Sequence, residues 1–358
     1  MSRILSPNEH TSYLSDLEAF LEGRQNGVLD KWSYVNDDKW ENLVRAATNQ
    51  NSSYYLTQIE QPVLFKRAGD ISDHVEQCGG VSTLFVRGTG TGEKIVPLVG
   101  ALNGKLQHVL LFDLSEEFTT KAREHIEHFR PDLTITEINF DFEAPGNGTR
   151  SNQNAFGMEL GGTLFNISGP DFNQFPRDEL KRRLTKFSSQ FGKNTRNWAL
   201  VTQHINPDSA AVVASYNDGP NHDFAINALE LASQLPGTEE GLNLKDLFEH
   251  VPTCIDLGNG DRVIAHMAQP KFTGTREVTI GGKEFSLSDT FRNSTINSYL
   301  PSEQTFKTCA EEVGFVIHQT YYDEDKKIAI HLMEFDTREN VPEHEKNCDR
   351  CKPGQFKM

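Results

Sequence analysis

A short apolar stretch, Leu84-Phe85-Val86, runs into a glycine-rich turn, Gly88-Thr89-Gly90-Thr91-Gly92-Glu93-Lys94. A second apolar stretch, His108 to Phe112, then ends on Asp113. No other feature of the chain restricts the fold as much. A strand, a glycine turn, a helix and a second strand closed by a carboxylate form half of a nucleotide-type binding site. The glycines let a ligand approach the backbone closely. The carboxylate can accept hydrogen bonds from two ribose hydroxyls. One position departs from the usual pattern. The acidic residue normally found two positions before the first glycine is Val86, with Arg87 beside it.

The alternation continues on both sides of this turn. Ser82–Val86 reads as a first strand, and Ile95, Val96, Leu98, Val99 and Leu102 line a helix face, with Pro97 tolerable near its first turn. Ser115 is placed to cap the next helix, with Glu116 and Glu117 at its positive end. Phe118, Ala122, Ile126 and Phe129 make the buried stripe of that helix. Leu133–Ile138 reads as a third strand, residues 144–156 as a polar loop, and Gly162–Ser168 as a strand running into a loop. Asp178–Phe191 reads as an amphipathic helix and Trp198–Thr202 as a buried strand. This rhythm predicts a parallel sheet with helices on both faces.

Two segments break the rhythm. Residues 10–75 look helical, with Leu14, Leu17, Phe20 and Leu21 at helical spacing and two aromatic-bearing loops, 31–34 and 53–57. Residues 206–297 mix helical stretches, Ala210–Tyr216 and Phe224–Leu235, with strands at Val263–Met267 and Glu277–Phe285 that turn at Gly281-Gly282. A helix from Ser302 to Val313 and a terminal hairpin, Phe315–Tyr321 with Ile328–Phe335, follow.

The 358 residues suffice for one large or two ordinary domains. A formal charge of −16 argues against nucleic acid and anionic membranes as partners. No apolar run is long enough to span a membrane, and the N-terminus lacks a secretory h-region. Five scattered cysteines do not make a disulfide framework, so a reduced, cytoplasmic protein is expected, with a monomer favoured. His344, Cys348 and Cys351 have zinc-ligand spacing in a polar tail, but no fourth ligand is evident and no metal is expected.

The turn reads G-x-G-x-G-E-K, which is neither the dinucleotide fingerprint nor the phosphate-loop motif. Asp113 and Asp141, after the second and third strands, fall at adjacent carboxyl ends of the expected sheet. Either alone could instead cap a helix or close a loop. Together they suit a ribose and an adenine amino group, as in S-adenosyl-L-methionine, which has no pyrophosphate to cradle. A nicotinamide-dependent oxidoreductase would need a turn that accepts pyrophosphate.

Five further segments carry a resemblance. The glycine turn is similar to a G-S-G-T-x-E-K cofactor loop, Lys31-Trp32-Ser33-Tyr34 to K-W-F-Y, and Ser53–Glu60 to E-Y-Y-P-T-R-x-E. Gly162–Ile167 is similar to G-S-T-I-G-N-L, while Ala214–Asp218 and Asp223–Asn227 are similar to A-A-Y-D-D and E-F-N-L-N. In this order and spacing, the chain resembles the ergothioneine-pathway histidine Nα-methyltransferases and their fungal relatives that N-methylate tryptophan or dimethylallyltryptophan. The resemblance covers about residues 15–336.

It implies an α/β fold: a Rossmann-like class I methyltransferase sheet (60–205 plus 298–336), a second α+β substrate domain (10–59 plus 206–297), and a polar tail (337–358). It implies that Gly88, Gly90, Lys94, Asp113, Asp141 and Phe142 line an S-adenosylmethionine site. Tyr34, Tyr54, Asn166 and Tyr216 would face a small amino-acid substrate, with Asn166 and a tyrosine on its carboxylate and Tyr34 or Tyr54 near the amine as proton acceptor. The segment that reads histidine in the family, T-E-V-S-x-K-F, corresponds to Asn293–Tyr299, so its glutamate becomes Ser294 and its serine Ile296. A neutral, aromatic or aliphatic side chain is therefore expected in place of imidazole. The expected activity is N-methylation of the α-amine of an amino acid or derivative other than histidine. Val86 motivates the alternative, a weak or inactive homologue that serves as a binding module.

Overall fold

The computed structural model describes residues 5–35, 37–49, 52–102, 104–139, 153–169 and 171–338. Its helices and strands are α1 (Pro7–Leu21), α2 (Asp30–Ser33), α3 (Asp37–Thr48), α4 (Leu56–Gln77), β1 (Thr83–Arg87), α5 (Val96–Ala101), β2 (His108–Asp113), α6 (Glu116–Phe129), β3 (Thr134–Asn139), β4 (Ala155–Glu159), α7 (Arg177–Ser188) and β5 (Arg196–His204). There follow α8 (Ser209–Ser215), α9 (Gly219–Ala225), β6 (Phe248–Gly258), β7 (Asp261–Pro270), β8 (Thr275–Ile280), β9 (Lys283–Ser288), β10 (Asn293–Leu300), α10 (Glu303–Val313), β11 (Val316–Tyr322) and β12 (Ile328–Asp336). Two compact units share the chain. One takes Met1–Thr57, Phe165–Pro176 and Pro207–Ser302; the other takes Gln58–Leu164, Arg177–Asn206 and Glu303–Met358.

The second of these units is built on a seven-stranded sheet in the order β3-β2-β1-β4-β5-β12-β11. β1 to β5 run parallel, and β12 enters antiparallel between β5 and β11. This is a Rossmann-like sheet, as the strand–helix alternation predicts. The strand order reverses beside β1, so the crevice outside the carboxyl ends of β1 and β4 is the natural ligand position. Ser115 caps α6 by accepting from the Phe118 amide at 3.1 Å, as its sequence position suggests. Phe118, Ala122 and Ile126 are buried, but Phe129, at the helix's last residue, is 59 % exposed. The buried stripe therefore stops one turn short of the expected one.

β4 departs from the sequence reading, which placed a polar loop through residue 156 and a strand at 162–168. The strand is Ala155–Glu159, entirely buried, and residues 163–165 form a 3₁₀ turn. Gly157 and Glu159 disguise β4. Glycine is required because a Cβ at 157 would lie 2.5 Å from the Phe85 ring and 2.8 Å from the Phe187 ring. The two rings fill the space that a side chain on the central strand would take.

The first unit carries the antiparallel sheet β10-β7-β6 and the hairpin β8-β9. Its core joins the N-terminal helix to the middle of the chain: Tyr13, Leu17 and Phe20 cluster with Leu229, Leu231, Phe248, Ile280 and Phe285. The buried Tyr13 hydroxyl donates to the Ala228 carbonyl at 2.7 Å, which satisfies the polar end of the ring. β6 holds Pro252 yet remains a strand because it is an edge strand, where a missing N–H costs no ladder bond. β10, Asn-Ser-Thr-Ile-Asn-Ser-Tyr-Leu, reads as polar but is almost wholly buried. Its polar groups are matched inside: Asn293 Nδ2 donates to the Phe20 carbonyl at 2.7 Å, and Thr295 Oγ1 to the Ala225 carbonyl at 2.7 Å. Between α9 and the 3₁₀ segment Asn227–Gln234, the expected single helix of 224–235 is divided.

Replacing Gly157 with alanine forces both rings to move, and overpacking of this kind costs about 1–3 kcal/mol. Chemical denaturation of Gly157→Ala should show that loss; unchanged stability would mean the rings do not fill the site.

Candidate active site

In the sheet unit the glycine turn follows β1 directly. Gly88, Gly90 and Gly92 have φ of 68°, 50° and 85°, the left-handed region that glycine alone enters without strain. At Gly92 there is also no room, since a Cβ would lie 2.5 Å from Ala122 Cα on α6. At Gly90 the surroundings are open, with nothing within 4 Å of an added Cβ. Close packing on the helix side and open space at the tip of the turn are what a ligand approaching the backbone requires.

Asp113, at the end of β2, holds this turn. Its Oδ2 accepts from the Gly90 amide at 3.2 Å and from Thr89 Oγ1 at 3.3 Å, and its Oδ1 accepts from the Ser115 amide at 3.1 Å. Asp113 as a residue is 9 % exposed. A carboxylate offers about four lone-pair positions, so a ribose hydroxyl at Asp113 is compatible with these bonds. Lys94 pairs with Glu60 of α4, whose other oxygen accepts from the Gly161 amide at 2.8 Å. Glu60 is completely buried. It closes the segment Ser53–Glu60 that carried part of the resemblance, but sequence reasoning gave it no role. Asp141 and Phe142 lie outside the described residues, as do His344, Cys348 and Cys351. Among the described residues no group of three or more His, Cys, Asp or Glu could hold a metal ion.

Arg87 is a core residue. Its guanidinium lies 3.3 Å from Glu159, its partner across the β1–β4 pairing, and 5.6 Å from the Phe187 ring centroid. Both side chains are buried, at 1 % and 0 % exposure. Phe85 and Gly157 lie two residues before them on the same sheet face, the face on which Phe187 packs. Val86 points to the other face. The charge of Arg87 is thus neutralised by Glu159 within the sheet. Neither the ion pair nor its acid was recognised from sequence, because Glu159 fell between the stretch read as loop, 144–156, and the one read as strand, 162–168.

In the other unit the expected substrate residues fall on connected groups. Tyr34, just after α2, meets Phe224 of α9 edge-on at 5.0 Å and Trp40 of α3 at 5.6 Å. Trp40 also meets Phe224 at 5.2 Å and Tyr54 at 6.3 Å. Tyr54 meets Tyr216 at 5.5 Å, and Tyr216 meets His266 of β7 edge-on at 4.9 Å. Trp40 and Phe224 were not among the expected site residues, although they link the three tyrosines. The signal available was their position inside or beside the aromatic-bearing segments.

Asn166 joins this group through β10. It forms an isolated antiparallel bridge with Ser298, whose Oγ donates to Asn166 Oδ1 at 3.0 Å. Ser298 also lies beside the Tyr216 hydroxyl, whose pKa burial pushes well above the ordinary phenol range, with the Tyr55 hydroxyl adding to the rise. Asn166 Nδ2 donates to Asp30 Oδ1 at 3.3 Å. Ile296 pairs with His266 in the β10–β7 register, so both face the Tyr216 side. Ser294 is buried and donates to Asn297 Oδ1 at 2.5 Å. Behind His266, His250 Nε2 lies 3.0 Å from His266 Nδ1. Burial lowers the pKa of His266 to about 3 and, together with the neighbouring His266 and His222, that of His250 to about 2, so the pair is neutral at pH 7.

Removing the Asp113 carboxylate should leave the sheet intact but release the turn. Asp113→Ala is expected to weaken binding of S-adenosylmethionine roughly 10- to 100-fold by calorimetry. Unchanged affinity would show that the turn needs no such anchor.

The family model described as "Histidine-specific methyltransferase, SAM-dependent" matches residues 15–335. The uncharacterized protein y4iF of Sinorhizobium fredii is 26 % identical over 311 residues, covering 82 % of this chain and 93 % of that protein. Among solved structures, magnesium protoporphyrin IX methyltransferase from Synechocystis with bound SAH is similar at 11 % identity and a TM-score of 0.42, covering 86 % of this chain and 97 % of that one. An S-adenosylmethionine-dependent methyltransferase from Clostridium acetobutylicum is similar at 10 % identity and a TM-score of 0.41, covering 83 % and 98 %. No described helix is long and apolar enough to cross a membrane. The chain belongs to the histidine-specific, S-adenosylmethionine-dependent methyltransferase family.

Proposed function

We propose that this methyltransferase transfers the methyl group to the α-amine of an amino acid or close derivative other than histidine, with a neutral and preferably aromatic side chain such as that of tryptophan. The observation that carries this reading is the composition of the candidate pocket. Tyr34, Trp40, Tyr54, Tyr216 and Phe224 form a linked aromatic group, and the Ser298–Asn166 hydrogen bond lies beside the Tyr216 hydroxyl. Amide and hydroxyl donors suit a carboxylate, and aromatic faces suit both an ammonium and an aromatic side chain. In β10, Ser294 and Ile296 offer no charge to an imidazole, and both are buried.

Bound S-adenosylmethionine supplies a sulfonium methyl that is already a strong electrophile. On our reading, Gly88, Gly90, Lys94 and Asp113, with Asp141 and Phe142, hold it. What remains for this chain is to present a neutral amine lone pair in line with that carbon and to keep water away. Tyr34 or Tyr54, or a water held by them, accepts the amine proton.

A second reading, a weak or inactive homologue, rests on Val86. The Arg87–Glu159 pair counts against its stronger form, because it neutralises a cation that a sulfonium would otherwise meet. Turnover decides between them. Incubating the protein with S-adenosylmethionine and each of the twenty amino acids should yield a mass gain of one or more methyl groups on tryptophan or another neutral substrate, and less on histidine. No product from any of them would favour the inactive homologue, and preferential methylation of histidine would overturn the proposed selectivity.

A further inference from the structure

Asp30 was not among the residues expected to bind substrate, and the segment resemblance begins only at Lys31. It opens α2, is half-buried, and its Oδ1 lies 3.3 Å from Asn166 Nδ2. Asn166 accepts in turn from Ser298, which lies beside the Tyr216 hydroxyl. A carboxylate therefore stands directly beside the Asn166 amide. We propose that Asp30 reads the ammonium of the substrate, so that Asp30 and the Asn166 and Tyr216 donors together form a clamp for a zwitterion; this rests on the amino-acid reading of the same pocket.

The argument is geometric and electrostatic. In an α-amino acid the nitrogen and the carboxyl carbon are attached to the same carbon. Whatever takes the ammonium must therefore lie next to whatever takes the carboxylate, and Asp30 is hydrogen-bonded to one of those donors. Placing a carboxylate alone beside Asp30 sets two like charges close together, which is repulsive even near a protein surface. Adding the ammonium reverses the sign, because it is the group nearer to Asp30. The pocket should thus distinguish a zwitterion from the same molecule without its amine. A phenol, as at Tyr34 and Tyr54, is a weaker partner for an ammonium than a carboxylate.

Asp30 also influences the reaction that follows. Methyl transfer turns an uncharged nitrogen into a cation, and a fixed carboxylate stabilises that developing charge. The same carboxylate raises the pKa of the bound ammonium. The acid limb of kcat then lies at higher pH than it would without Asp30. A residue that only shaped the loop would not shift that limb.

The test compares L-tryptophan with indole-3-propionate, which keeps the carboxylate and the ring but lacks the amine. Calorimetry on the full chain, without cofactor, should show tryptophan bound more tightly by about 10- to 100-fold, the range for a hydrogen-bonded charged group. Asp30→Asn is isosteric and can still accept from Asn166; it should erase that preference and move the acid limb of kcat downward. Asp30→Glu should restore part of the preference, which guards against a folding artefact in the amide variant. A preference that survives Asp30→Asn overturns the role of Asp30 and leaves the amino-acid reading standing. Wild-type protein that binds neither compound nor any of the twenty amino acids overturns both.

Discussion

The site in the sheet unit depends on one carboxylate. Asp113 ends β2, and the turn that it grips leaves β1, the neighbouring strand. Three glycines with positive φ could adopt many shapes, and the bonds from Gly90 and Thr89 to Asp113 select one of them. A second anchor acts from the opposite side, where buried Glu60 holds both Lys94 and the Gly161 amide after β4. The turns that follow β1 and β4, flanking the reversal of strand order, are thus each pinned by an acid from another element. Preorganisation of this kind lets a ligand bind without first ordering the loops.

The missing acid at Val86 has a structural counterpart. Arg87 and Glu159 bring two opposite charges into the sheet interior, on adjacent strands at matching register. Losing either partner would leave an uncompensated buried charge, typically a cost of about 3–5 kcal/mol. The pair therefore constrains β1 and β4 together. It also keeps the Arg87 charge on the face covered by Phe187 and away from the Val86 face.

How much was legible in the sequence varied with the kind of residue. The strands β1, β2 and β5 and the helix α6 followed from apolar runs and a capping serine, because their burial is paid for by side chains of the expected type. β4 and β10 were hidden by polar or glycine positions that are buried for specific reasons: ring packing at Gly157, and internal acceptors for Asn293 and Thr295. The glycine turn and Asp113 were visible as a motif. The roles of Trp40, Phe224, Glu60 and Asp30 were not, since each draws its meaning from a contact with a residue far along the chain or on another element. Periodicity reports which face of an element is buried, and it is silent about partners of this sort.

The central claim is that a methyltransferase of a histidine-specific family selects a neutral, aromatic amino acid. Its most direct test is calorimetry of the protein saturated with S-adenosylhomocysteine, titrated in turn with L-tryptophan and L-histidine at pH 7. The account predicts saturable binding of tryptophan with clearly higher affinity than histidine. Tighter binding of histidine would contradict it.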